Sequence, residues 1–398
     1  MVAYSFFESD ARILQYTSAL IQRGDQVDVI ALRREGQAKH AVDNGVNIHR
    51  IQNRRVNERG PLSYFWRILR FLVHSTFTLA KNHLANPYDL IHVHSVPDIL
   101  VFSAIVPKIL GTPVILDIHD ILPEFYASKF QARRESVLFK VLLLIERWSI
   151  AFSNHVIIAN HIWRDRLLSR SAKPAKCTAI CNYPDPRLFS PRPKQTTDHR
   201  FIILYPGSLN SHQGLDLAVR AFARVSDRML NAEFHIYGQG PCKPSLIELA
   251  RQLGLGAKVV FHDFLPLNEI AQVMANADLA VVPKRAESEF GNEAASTKIL
   301  QFMSLGVPVL VSRTRVDTYY YSEDMVQFFQ SHDEAELAQN LLLLMQDREL
   351  RERLRANATQ YVRQNNWDVK KQEYLDIVDS LVVERHVSRI GDSPRSEM

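Results

Sequence analysis

The sequence has little of what marks several protein classes. Its three cysteines, Cys177, Cys181 and Cys242, are spread through 398 residues, too few for a disulfide framework. Cys177 and Cys181 fall in a strand-like stretch, where four residues of rise set them about 13 Å apart, beyond the reach of a bridge. No histidine partners them at zinc spacing. All three read as reduced thiols of a cytosolic protein. Long apolar runs are missing too: Ile99 to Leu116 comes nearest, and Pro107, Lys108, Gly111 and Pro113 break it into helix, turn and buried strand. MVAYSFFESD has no basic segment leading into an apolar one, so no signal peptide is expected. VAYSFF begins almost at residue 1, so part of the first strand is expected to be missing. The 14 Gly and 18 Pro exclude collagen-like and low-complexity readings. The first strand–helix turn, SFFESDAR, holds no glycine, which argues against a nicotinamide-dependent dehydrogenase, because a dinucleotide pyrophosphate has no close approach there. Neither charge dominates: 48 Lys+Arg against 43 Asp+Glu leave +5. That mild excess favours an anionic surface without indicating a nucleic-acid binder.

With 46% hydrophobic and 23% charged residues, the chain can bury cores, and its length makes two domains the default. In the first third short apolar strands (VAYSFF, QVDVIAL, YDLIHVHS, TPVILDIHD, HVIIAN) alternate with helices, among them Ile99–Leu110 and Val137–Phe152. Asp10 is placed as N-cap of the first helix and Gly24 as its stop. Such alternation is what a parallel sheet requires. NYPDPRLFSPRPKQTTDHR then reads as linker. After it the alternation restarts: FIILYPG, helix Leu215–Val225, AEFHIYG, helix Pro244–Leu253, KVVFHDF, helix Asn268–Ala277, LAVVP, helix Thr297–Leu305 and VPVLVS. Charged helices over 334–381 close the chain. The expected organisation is an N-terminal Rossmann-like domain over 1–183, a Pro-rich hinge over 184–200 and a C-terminal domain over 201–365. A helix over 366–383 crosses back to the first domain, and a polar tail covers 384–398. Both α/β domains are expected to present loops to a cleft, at the carboxyl ends of their strands.

The stretch from Glu293 to Gly306 carries the strongest chemistry. Ser296 is placed as N-cap and Gly306 as stop; Ile299, Leu300, Phe302 and Met303 pack the helix, and Lys298 and Gln301 share the other face. A free helix N-terminus with a lysine in its first turn attracts a phosphate or diphosphate; the plainer reading is a capped core helix with a solvated lysine. This stretch resembles the donor-site signature of retaining GT-B glycosyltransferases, particularly glycosyltransferase family 4. Glu293 matches the first Glu of the signature, Gln301 occupies the position of the second, and Phe302, Met303, Gly306, Pro308 and Val309 follow in order. YPGSLNSHQGLDLAVRAF, IYGQGP, LAVVP, NYPD and LDIHD resemble further landmarks of the family in the family's order. The resemblance implies a GT-B fold, with two doubly wound Rossmann-like domains, and a metal-independent, hexosyltransferase-type reaction. A nucleotide-diphosphate sugar is the co-substrate, no cofactor is involved, and a polysaccharide or lipid-linked glycan is the acceptor, as in bacterial cell-surface glycan synthesis.

Under that resemblance Glu293 holds the donor sugar and Gln301 the ribose, by a neutral hydrogen bond where the family has a charged one. Lys298 and the Gly207 loop hold the diphosphate, with Gly238 and Gly240 in the second turn. His119, at the end of LDIHD, lies beside the reacting carbon. The family's Arg and Lys on the diphosphate are replaced by Ser208 and Gln213. With Gln301, these replacements keep open a non-catalytic GT-B subunit that stabilises a partner transferase. Asp10, Arg12 and His94 are placed on the acceptor side, against the plainer reading of an N-cap, a helix-surface charge and a packed strand histidine; His92, on the same strand face, reads as packing. No Asp-x-Asp occurs, so no metal is expected. SYFWRILRFLVHSTFTLAK sets Tyr64, Phe65, Trp66, Phe71 and Phe77 beside Arg67, Arg70 and Lys81, and Arg133, Arg134 and Lys140 flank the apolar helix Val137–Phe152. Plain helix packing accounts for such segments; so does an anionic membrane surface, and the resemblance tips the reading to a cytoplasmic, peripherally associated enzyme.

Overall fold

A computed structural model describes residues 1–54, 61–130, 135–194 and 200–391. The chain forms two compact units, 1–182 with 370–398 and 183–369.

In unit 1 an eight-stranded sheet runs in the order β3-β4-β2-β1-β5-β6-β7-β8. These strands are β1 (Val2–Ala3), β2 (Val27–Arg33), β3 (His40–Asp43), β4 (Val46–Asn53), β5 (Ile91–His94), β6 (Val114–Ile118), β7 (His155–Ile158) and β8 (Cys177–Ala179). All pair in parallel except β3, which turns back antiparallel on β4 through Asn44 and Gly45, both at positive φ. An Asn-Gly pair is the favoured two-residue hairpin turn, so this edge hairpin was signalled, although the alternation of strand and helix does not anticipate it. The helices are α1 (Ala11–Arg23), α2 (Pro61–Ala85), α3 (Ile105–Ile109), α4 (Leu122–Phe130), α5 (Val137–Phe152) and α6 (His161–Arg170). The Asp10 carboxylate accepts from the Ile13 N–H and Gly24 closes α1 in the left-handed region, as expected. Two expectations need correcting. Residues Asp98–Ala104 form a 3-10 helix before the short α3, and VAYSFF is a strand only over Val2–Ala3. Cys177, Cys181 and Cys242 are free thiols; Cys181 lies beyond the end of β8.

Unit 2 holds a six-stranded, wholly parallel sheet, β11-β10-β9-β12-β13-β14. Its strands are β9 (Phe201–Pro206), β10 (Ala232–Tyr237), β11 (Val259–His262), β12 (Leu279–Val282), β13 (Val309–Arg313) and β14 (Gln327–Gln330). Around it stand α7 (Leu215–Val225), α8 (Lys243–Gln252), α9 (Leu267–Ala275), α10 (Glu289–Glu293), α11 (Thr297–Leu305), α12 (Arg315–Tyr320), α13 (Glu334–Gln346) and α14 (Arg348–Gln364). The last helix, α15 (Trp367–Gly391), belongs to unit 1 from Lys370 onward. The strand cores are nearly continuous apolar runs, such as LAVV in β12 and VLV in β13, buried throughout. A parallel sheet covered on both faces demands that composition.

Candidate active site

The two loops that follow β9 and β10 run backbone to backbone. Gly207 N–H donates to Tyr237 O (2.8 Å), Leu209 N–H to Gln239 O (2.9 Å) and Cys242 N–H to Leu209 O (3.0 Å). Glycine is obligatory here for two reasons. Gly207 and Gly238 hold φ of +142° and +147°, outside what L side chains adopt. A Cβ on Gly238 would lie 1.8 Å from Gly207 O, and one on Gly240 would lie 2.4 Å from Leu209 O.

Lys298 meets this loop pair from the first turn of α11. A Cβ on Gly207 would lie 2.4 Å from Lys298 Cε, and the lysine Nζ sits 5.2 Å from the centre of the Tyr205 ring. Burial, and then the charge of Lys284, push the Lys298 ammonium down to about 8. Lys284, itself buried, donates to Ala294 O at 2.6 Å and pairs with Asp317 at 3.0 Å. His212 is also lowered, by burial and then by Lys298 and Lys284. At the start of α11, therefore, neither Lys284, which is committed to Asp317, nor His212 offers Lys298 a counter-charge. Ser296 occupies the N-cap position of that helix, but its side chain makes no capping bond, contrary to expectation, and its buried Oγ has no hydrogen-bond partner among the described residues.

Glu293, 3% exposed, closes the short α10 and accepts from Arg315 Nη1 at 2.8 Å. Gln301 is half-buried one turn into α11. Ser208 is exposed, whereas Gln213 is held by its neighbours: its Oε1 lies 3.0 Å from the Tyr205 hydroxyl and its Nε2 lies 3.0 Å from His212 Nε2. Unit 2 thus brings Gly207, Gly238, Gly240 and Lys298 into direct apposition, with Glu293 and Gln301 flanking the turn that opens α11. Sequence reasoning missed Lys284, His212 and Arg315. Lys284 directly follows LAVVP and was within reach of it, while Arg315 is 22 residues from Glu293 and had no local signal.

Unit 1 builds a different cluster. Asp117, in β6, is fully buried and bound by both arms of Arg12, Nε at 2.7 Å and Nη2 at 2.8 Å. Arg12 Nη1 also donates to Ile180 O and Asn182 Oδ1. The reading of Arg12 as a helix-surface charge is therefore wrong, since the residue is 7% exposed and its guanidinium makes four hydrogen bonds. Side chains two apart on a strand share a face, which puts Asp117 toward His119; His119 Nε2 and His94 Nδ1 each lie 3.3 Å from Asp117 Oδ2. Burial would raise the Asp117 carboxyl, but Arg12 and then His119 reverse that and hold it well below the usual carboxylate range. His92 stacks on His94 with ring centres 4.2 Å apart, and its Nδ1 meets the Tyr374 hydroxyl of α15 at 3.1 Å. Burial lowers both histidines, and His94 lowers His92 further, so both are neutral. Asp10 remains at the cap of α1. His92, His94 and Asp117 bring three potential metal ligands within 4.8 Å. Arg12 already holds both Asp117 oxygens, however, and its fixed positive charge opposes a cation, so the group does not fit a metal.

The chain is similar to known glycosyltransferases. Residues 9–183 match the family "Glycosyl transferase 4-like domain" and residues 188–361 match "Glycosyl transferases group 1". Alpha-D-kanosaminyltransferase of Streptomyces kanamyceticus is 26% identical over 277 residues, 65% of this chain and 67% of that protein. Sulfoquinovosyl transferase SQD2 of Arabidopsis thaliana is 23% identical over 77% of this chain and 59% of its own length. Among solved structures, sucrose-phosphate synthase from Thermosynechococcus elongatus superposes with a TM-score of 0.74 at 18% identity, covering 96% of this chain and 99% of that one. WaaG, a glycosyltransferase of lipopolysaccharide biosynthesis, superposes with a TM-score of 0.70 at 16% identity, covering 95% and 99%. The two family matches in tandem, over two parallel-sheet α/β units, make this chain a member of the GT-B glycosyltransferases, enzymes that transfer sugars.

Proposed function

We propose that this glycosyltransferase moves a hexose-type sugar from a nucleotide diphosphate, with retention at the anomeric carbon and without a metal ion, to a glycan or lipid-linked acceptor at the cytoplasmic face of a bacterial membrane. The observation that carries the donor assignment is Lys298, a lysine with no acidic partner among the described residues, pressed onto the Gly207 turn at the N-terminus of α11. Backbone N–H groups and an ammonium at that point suit a diphosphate. Glu293, oriented by Arg315, accepts from the sugar hydroxyls, and Gln301 hydrogen-bonds the ribose. Gly238 and Gly240 keep the second loop close to the first. Ser208 and Gln213 contribute loop backbone and neutral hydrogen bonds in place of charge. In the transfer the bond from the anomeric carbon to the phosphate oxygen breaks, the acceptor oxygen bonds to the same face, and the acceptor proton passes to the leaving phosphate. His119 is assigned to the sugar at that face, and His94, Asp10 and Arg12 to the acceptor side as its support.

The test is a calorimetric titration with nucleoside diphosphates and their sugars. Uridine diphosphate comes first, because solved Anabaena neighbours with TM-scores of 0.70 to 0.73 hold UDP or UDP-glucose. Binding of one nucleotide, lost in both Glu293→Ala and Lys298→Ala with the fold intact, supports the reading. No binding of any nucleotide turns it to the non-catalytic subunit.

A further inference from the structure

Unit 1 wears its exposed apolar side chains almost entirely on three neighbouring helices. Among the described residues it has sixteen exposed large apolar side chains, and fourteen belong to α2, to α3 with the adjoining Leu110, and to α5. The seven of unit 2 are scattered over separate elements. In unit 1 the chain crosses from β4 to β5, β5 to β6 and β6 to β7 in one direction along the sheet. Right-handed crossovers therefore put α2, α3 and α5 on one face. Both α2 and α5 pack against the segment 98–109, so the three helices form one layer and share an outer side. On α2 the exposed stripe is Trp66, Arg70, Val73, Phe77, Lys81 and Leu84, spaced three or four apart, while Phe71, Ser75, Leu79 and His83 point inward. Trp66 is 64% exposed, Phe77 72% and Ile109 77%. Trp148 of α5, at 58%, adds a second indole to this side.

The charge on this layer has one sign. α2 and α3 contain no acidic residue, and the single acid of α5, Glu146, is buried and bound to Arg170 at 2.9 Å. Six cations accompany the apolar residues: Arg67, Arg70, Lys81, Lys108, Lys140 and Arg147. The nearest exposed acid along the chain is Glu135, ahead of α5; Arg133 and Arg134 lie outside the described residues. An apolar patch of this breadth marks an interaction surface. A second copy of the chain is a poor occupant, because a two-fold interface sets the same patch on itself and would oppose cations to cations. Trp, Phe and aliphatic side chains interleaved with Lys and Arg suit the headgroup and outer acyl region of an anionic bilayer.

We propose that the outer side of α2, α3 and α5 is a monotopic docking face for an anionic lipid bilayer. It extends the reading of a membrane-bound acceptor given above, but rests on geometry independent of the donor site. The test is flotation and co-sedimentation of the full chain with vesicles of phosphatidylcholine alone and with about one-third phosphatidylglycerol. The proposal expects binding to the anionic vesicles, at least about tenfold weaker binding to neutral ones, and weakening by salt. Arg70→Glu/Lys140→Glu/Arg147→Glu should weaken it about a hundredfold, and Trp66→Ala/Phe77→Ala/Trp148→Ala should abolish flotation with the anionic vesicles, while Trp66 and Trp148 of the wild-type chain shift to the blue when those vesicles are added. All these positions are exposed, so unchanged melting curves certify the fold. Absence of vesicle binding, binding untouched by both triple variants, or a dimer in solution that the apolar triple variant dissociates would each overturn it. Nucleotide titration of the same variants keeps the two readings apart: loss of vesicle binding with nucleotide binding retained concerns this face alone.

Discussion

The cluster around Asp117 in unit 1 and the turn around Lys298 in unit 2 are both charged and largely withdrawn from water, yet they are finished differently. Arg12 and Asp117 pair through two hydrogen bonds, and Arg12 Nη1 reaches both Ile180 O and Asn182 Oδ1. At Lys298 no acid among the described residues pairs with the ammonium, the neighbouring Lys284 is committed to Asp317, and the Ser296 Oγ has no hydrogen-bond partner among those residues. A closed cluster holds its own side chains in place, which suits setting a single histidine such as His119. Under the proposed function the open one is completed by the diphosphate of the donor. The same physics predicts opposite mutational signs: disruption of the first costs stability, and neutralisation of the second improves it while costing binding.

The largest effect should come from Asp117→Ala. It leaves the buried Arg12 guanidinium without its counter-charge, which costs about 3–5 kcal/mol, read as a shift of the urea midpoint. Arg12→Met/Asp117→Leu removes both charges and should recover most of that loss. The pH dependence follows from the depressed Asp117 carboxyl. Its folded value lies below its unfolded one, so its stabilisation is complete above about pH 4 and is lost as acid titrates it in the folded state. The double variant should lose that part of the acid dependence; an unchanged acid limb would place the sensitivity elsewhere.

Next in size is Lys298→Met. Loss of a charge-assisted contact of about 1.5–3 kcal/mol should weaken nucleoside diphosphate binding by roughly one to two orders of magnitude in calorimetry. The ligand-free protein should melt higher, because an ammonium lowered to about 8 opposes folding at neutral pH. A lower melting temperature would show that Lys298 has an internal partner and would erase the contrast with Asp117. A smaller effect is read with the wild-type chain. Below pH 8 Lys298 is charged before ligand arrives, so affinity should be flat there. Above it, binding must take up a proton, and affinity should fall about tenfold per pH unit until the lysine of the complex itself titrates. Lys298→Arg should abolish this slope.

Much of the fold was legible because local signals agreed with one another. The helices Val137–Phe152, Leu215–Val225 and Thr297–Leu305 have the bounds their periodicity predicts, and the glycines of both turns in unit 2 were visible from YPG and GQG. Where the sequence misled, the cause was distance along the chain. Arg12 and Asp117 are separated by 105 residues, and nothing at Arg12 distinguishes a buried guanidinium from a solvated one. Arg315 reaches Glu293 only because α12 follows β13 into place. Ser296 failed as a cap although its identity and position favour one, which is the departure expected where a helix end serves a ligand instead of itself.

The smallest predicted effect tests the open cluster from its far side. By the resemblance drawn from the sequence, Gln301 stands where the family carries a carboxylate, and its side chain has no hydrogen-bond partner among the described residues. A neutral bond to a ribose hydroxyl contributes about 0.5–1.5 kcal/mol and a charged one about 1.5–3, so Gln301→Glu should tighten nucleoside diphosphate binding by about fivefold. Lys298 lies three residues earlier on the same helix, near enough for the new carboxylate to raise the lysine's pKa as well. The pH at which affinity begins to fall should therefore move up from about 8 in the same variant. Tighter binding with an unmoved pH limb would mean that the two side chains act on separate parts of the ligand. Weaker binding would mean that the helix end already tolerates only one anion, the diphosphate, and that glutamine at 301 is there to avoid a second.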